Sequence, residues 1–103
     1  MQFYTFDKQT KEFTPCTPHE WEAYAQKKSL RRIGFKKDRR TGYSVSTVAL
    51  PFNHKFTYGD DQWFETIVFD QNRNEKEMRR YATYEEAIHG HEKLLQKYIT
   101  PTT

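Results

Sequence analysis

Apolar positions recur with a long helical period near the C-terminus and a shorter one around Trp21–Ala25; elsewhere they fall into short runs that read as strands. Tyr84, Ala87, Ile88, His91, Leu94, Leu95 and Tyr98 follow one another at three- and four-residue steps. That is one face of a helix, apolar except for His91. Thr83 ahead of it and Glu86 three residues on predict a capping box, and Pro101 ends the helix, leaving 99–103 as a frayed tail. An earlier helix is announced by Thr17 as cap, Pro18 at the first helical position and Glu20 as the capping-box carboxylate. Trp21, Tyr24 and Ala25 share its apolar face, and it ends near Lys28.

Phe3–Phe6 predicts a short strand, followed by a polar turn, Asp7–Lys11, ahead of Phe13. Leu30–Lys36 and Gly42–Leu50 predict two strands joined as a hairpin through the charged turn Lys37–Thr41. In the second, Val45, Thr47 and Ala49 alternate with Ser46, Val48 and Leu50, so both faces are semi-apolar, which suits the middle of a sheet. Phe52–Gln62 is irregular. Trp63–Phe69 is the most strand-like run, Asp70–Asn74 a turn, and Met78–Ala82 a short last strand. Strand, helix, hairpin, strand, strand, helix predicts a single α+β domain over 1–103. It would have a mainly antiparallel sheet of four to five strands and two helices packed on one face.

Composition changes the picture in three ways. Hydrophobic residues make up 35% of the 103, and 17% of the chain is aromatic, so a few large rings can supply a core despite a mean hydropathy of −1.07. A single cysteine, Cys16, excludes an internal disulfide and a cysteine-based zinc finger, and is expected as a small packing residue. No apolar run approaches the roughly 18 residues of a membrane span. Nor does a basic-then-apolar signal segment open the chain, so a soluble protein without a membrane partner is expected in the compartment where it is made.

Charge is concentrated. Between Lys27 and Arg40 stand Lys27, Lys28, Arg31, Arg32, Lys36, Lys37, Arg39 and Arg40 against Asp38 alone, a net +7, while the remainder of the chain is net −4. Such polarity predicts an anionic partner for the hairpin, with Arg31, Arg32, Lys36, Lys37, Arg39 and Arg40 as the patch: nucleic acid, a nucleotide or an acidic protein face. Lysines guarding a sheet edge would give the same pattern.

Polar residues inside apolar patterns are the other candidates, because burying them unpaired costs roughly 1–3 kcal/mol. Glu65 sits mid-strand with Thr66 on the opposite face, His91 on the helix stripe, and Ser46 or Thr47 in the central strand. His54 lies just past that strand. One expectation is a fastener in which His91 bonds Glu65 or a backbone carbonyl. The sharper one is a site in which His54 and His91 act as acid and base, or line a binding pocket, with Glu65 orienting one of them. The separations of His54, Glu65 and His91 match no metal motif, His89 and His91 point to different sides of the helix, and no nucleophile elbow frames Ser46 or Thr47. Neither metal nor cofactor is expected.

Val45-Ser46-Thr47-Val48, then His54 with Phe56, then Phe64-Glu65-Thr66-Ile67-Val68-Phe69, then Arg80-Tyr81-Ala82-Thr83-Tyr84-Glu85-Glu86-Ala87 and Gly90-His91 resemble a family of small proteins of tailed bacteriophages and prophages. The likeness spans roughly the C-terminal 60 residues. Asn53 stands before His54 where the family has Asp, and Tyr58-Gly59-Asp60-Asp61 replaces a Gly- and Pro-rich loop. The family carries no established activity. The resemblance implies a phage origin, the cytoplasm of an infected bacterium, and His54, Glu65, Thr66, Tyr81 and His91 as motif residues.

Three functions follow as expectations. The first is a non-enzymatic accessory protein that binds a host protein or a small anionic ligand, for instance against a defence system. The second is a nucleic-acid-binding protein using Lys27–Arg40, and the third a small hydrolase or nuclease built on His54, Glu65 and His91. A homodimer through Trp21, Trp63 or Tyr98 stays open.

Overall fold

Among the described residues of a computed structural model, 2–53, 59 and 61–99, the chain forms six strands and three helices. They run β1 (Phe3–Asp7), β2 (Glu12–Cys16), α1 (Pro18–Gln26), α2 (Lys28–Arg31), β3 (Arg32–Lys37), β4 (Ser44–Ala49), β5 (Phe64–Phe69), β6 (Glu75–Tyr81) and α3 (Tyr84–Tyr98). The α+β class is the expected one. Its larger sheet is an antiparallel meander, β3-β4-β5-β6, in which each strand pairs with its sequence neighbours, and β1-β2 is a separate hairpin. β4, the strand with two semi-apolar faces, is central as expected, with Val45 to Ala49 all buried. The two helices expected together on the sheet are divided: α3 lies across it, whereas α1 packs against β1.

The starts of α1 and α3 are set by capping side chains. In α1 the Thr17 hydroxyl accepts from the Glu20 N–H (3.1 Å) while the Glu20 carboxylate accepts from the Thr17 N–H (3.0 Å), the complete capping box. In α3 the Thr83 hydroxyl accepts from the Glu86 N–H (3.1 Å), and no reciprocal bond from Glu86 forms among the described residues. β2 is the element the sequence pattern does not announce. Phe13 faces Phe6 in register with it, and Pro15 is tolerated because β2 is an edge strand.

Strand register assigns the faces. Facing α3 are three transverse levels: Ala49–Phe64–Tyr81, then Gly34–Thr47–Thr66–Arg79, then Lys36–Val45–Val68–Glu77. The first joins Phe6, Tyr24 and Ala87 in one apolar cluster, and the third joins Leu94 in another. Between them the middle level is polar. Phe6 seats the hairpin on the first cluster, edge-on to Phe64 (5.2 Å between ring centres) and stacked on Tyr84 (5.7 Å). Such pairs contribute roughly 0.5–1.5 kcal/mol each beyond their buried area.

The opposite face carries Phe35–Ser46–Ile67–Met78 as one level, with Lys37–Ser44–Phe69 and Arg32–Val48–Glu65–Arg80 on either side. Phe35 and Met78 are 48% and 41% exposed there. No described helix is long and apolar enough to cross a membrane.

Candidate functional site

The residues singled out by the sequence motifs separate onto two faces. Thr66, Tyr81 and His91 meet on the α3 side; Glu65, one residue from Thr66 and hence on the reverse of the sheet, bonds its cross-strand neighbour Arg80 (Nε–Oε2 3.0 Å). The expected partnership of Glu65 with His91 is therefore corrected: His91 Nδ1 bonds the Thr47 hydroxyl (2.7 Å), which bonds the Thr66 hydroxyl (2.5 Å). His54 lies outside the described residues. A catalytic group in which Glu65 orients His91 does not form, because the sheet stands between them. Ser46, offered as an alternative to Thr47, faces away from His91 as well.

The helix-face cluster is closed. Thr47 and Thr66 are fully buried and His91 is 8% exposed. Burial holds the imidazole below its ordinary pKa, hence neutral near pH 7. A hydroxyl can donate or accept, so the Thr47 hydroxyl suits either ring tautomer. Two glycines allow the close approach: a Cβ at Gly34 would lie 2.9 Å from His91 Nε2, and one at Gly90 would overlap the Tyr81 ring. Burial also raises the Tyr81 phenol above its usual value. This is the fastener the sequence suggested, with threonines in place of the glutamate.

The basic segment is divided too. Arg31 Nη1 donates to the Ala49 carbonyl (3.0 Å), Lys36 shares the phase of Val45 on the helix face, and Arg39 and Arg40 are exposed in the β3–β4 turn. Arg32 and Lys37 join Lys28 on the open face. There, with Phe35, Ser44, Ser46, Phe69 and Arg73, they wall a cleft of about 190 Å³. The Arg32 guanidinium lies over the Phe35 ring, 4.4 Å from its centre, and that of Arg73 over Phe69 at 5.9 Å.

Three features set the charge and hydrogen-bonding character of this cleft. Among the described residues, none of Lys28, Arg32, Lys37 and Arg73 is paired with a carboxylate. The one carboxylate lining it, Asp70, accepts from the N–H groups of Asn72 and Asn74 (2.9 Å each), and these bonds, Asn74's first, hold its pKa below the usual range. Arg32 Nε and Ser46 Oγ are buried with no hydrogen-bond partner among the described residues. Sequence reasoning picked out Arg32 and Lys37 but did not place Ser46, Phe69 or Arg73 in the same cleft. Their signal was present in the alternation of β4 and β5, which places Ser44, Ser46 and Phe69 in the phase opposite to Thr47 and Thr66.

A second groove, about 500 Å³ between β6 and α3, is lined by Arg79, Tyr81, His89, Lys93 and Lys97. Its chemistry is largely committed, since Glu77 takes Arg79 and Lys97 as ion-pair partners. Among the described residues no three His, Cys, Asp or Glu side chains converge as metal ligands. No family model, curated protein or solved structure matches the chain.

Proposed function

We propose that this chain is a non-enzymatic binding protein of the small phage-accessory kind, and that its ligand is an anion held in the Lys28–Arg32–Lys37–Arg73 cleft. The observation that carries this is the pair of buried, partnerless atoms, Arg32 Nε and Ser46 Oγ, in a cleft of four unpaired cations. A buried donor left unsatisfied costs about 1–3 kcal/mol, and a phosphate or carboxylate oxygen admitted by a small shift of the Arg32 side chain offsets that cost. Catalysis has little to work with here. Neither serine has a histidine or free carboxylate beside it to take a proton, because Asp70 is bound into its own turn.

The test uses inorganic tripolyphosphate as a plain polyanion, followed by calorimetry at low salt. Arg32→Ala and Arg73→Ala should each weaken binding about tenfold or more, while Arg39→Ala in the exposed turn leaves it within about twofold. Tripolyphosphate that does not bind, or binds all three variants alike, overturns the assignment.

A further inference from the structure

We infer that the anion is the backbone of a single-stranded nucleic acid, one phosphate in the cleft and neighbouring bases on Phe35 and Phe69; this rests on the anion-site reading above. The first reason is size. At about 190 Å³ the cleft is smaller than the roughly 300 Å³ at which pockets for whole drug-sized ligands begin, so it takes a charged group and leaves the rest of the ligand on the open sheet face.

The second reason is what that face offers. Phe35 is 48% exposed, and Phe69, half-buried, stands two strands away on β5, a lateral separation of roughly 10 Å. Each ring has its own guanidinium beside it, from Arg32 and Arg73. A polymer that repeats an anion and a flat ring matches two ring-and-cation units on one plane. A polysaccharide sulfate supplies the anions without the rings, and a duplex keeps its bases stacked inside, away from the sheet. Ile67 and Met78 continue the level of Phe35 across the face as an apolar floor for further bases. Stacking of this kind tolerates any base, so binding without strong sequence preference is the consequence.

The experiment measures fluorescence anisotropy of a labelled 12-nucleotide mixed-sequence single strand and of its duplex, beside tripolyphosphate calorimetry, on the intact chain and on F35A, F69L and R32A/R73A. F69L keeps an apolar side chain at a half-buried position, and each variant is checked by circular dichroism. Single-strand binding should exceed duplex binding tenfold or more and fall with salt at a log–log slope no steeper than about −3, for at most four neutralised phosphates. F35A and F69L should each lose about tenfold or more for the strand and only about two- to threefold for tripolyphosphate, since each ring also supports a cleft guanidinium, whereas R32A/R73A loses both. Tripolyphosphate binding with equal affinity for strand and duplex, or with no effect of F35A and F69L on the strand, overturns the nucleic-acid assignment and leaves the anion site standing. If neither tripolyphosphate nor the strand binds, the anion site itself is wrong.

Discussion

Thr47 is the residue on which the middle of the core turns, since it bonds both His91 and Thr66 in a layer with apolar clusters on either side. Thr47→Val keeps the shape and removes the hydroxyl, stranding a buried nitrogen and a buried oxygen. It should cost about 1–3 kcal/mol in urea unfolding, and combining it with Thr66→Val and His91→Leu should recover part of the loss. The imidazole adds a pH dependence. Its folded-state pKa lies below the ordinary 6.5, so the unfolded chain takes up a proton that the fold resists. That contribution is complete above pH 6.5 and is lost as pH falls through the lower, folded-state value. Chemical unfolding at pH 7 and pH 5 should show the fold weakening, and His91→Leu should flatten that part of the profile. The buried histidine was legible from the helix stripe. Its partner was not, because a stripe says which side of a helix is inside and not which of two sheet faces it meets.

Two elements repay attention beyond their packing. The β5–β6 turn puts Arg73 at φ 64°, where an L side chain is disfavoured by roughly 1–2 kcal/mol and glycine is not. Arg73→Gly should therefore stabilise the protein by a few tenths to about 1 kcal/mol in thermal unfolding while weakening tripolyphosphate binding, an opposition that a purely structural turn residue would not produce. The end of α3 is tied to β6 by Glu77, which accepts from Lys97 (2.8 Å), Tyr98 (2.7 Å) and Arg79 (2.6 Å). These bonds, Lys97's first, hold its pKa down at about 2 against 4.5 unperturbed. The tie contributes fully above pH 4.5 and is lost as pH falls toward 2, so Glu77→Gln should unfold less steeply over that range in an acid titration. α1, α3 and the meander could be read from caps, alternation and turn residues, whereas the single turn α2 stands where the sequence suggested the start of a strand. β2 could not, because Glu12, Thr14 and Pro15 are exposed and Phe13 alone carries the strand signal.

At the scale of the molecule, one sheet face is sealed by α3 and the other gathers cations from three separate places in the chain: Lys28 at the start of α2, Arg32 and Lys37 on β3, and Arg73 in a turn more than thirty positions later. The charge excess of Lys27–Arg40 was plain in the sequence. Which half of it faces a cleft was decided by strand phase and by a meander that returns the β5–β6 turn to the side of β3. Both tryptophans, by contrast, lie where the β1-β2 hairpin meets the rest: Trp21 beside Phe3 and bonded to the Pro51 carbonyl, Trp63 between Tyr4 and Phe13. Intrinsic emission therefore reports on the seating of the hairpin through both rings, and on the edge of the four-stranded sheet only through Trp63, whose backbone bonds Leu50 and Tyr81. Denaturation followed by emission and by far-ultraviolet dichroism will coincide if hairpin and sheet melt as one cooperative unit, and an earlier emission change marks the hairpin as a separately releasable flap.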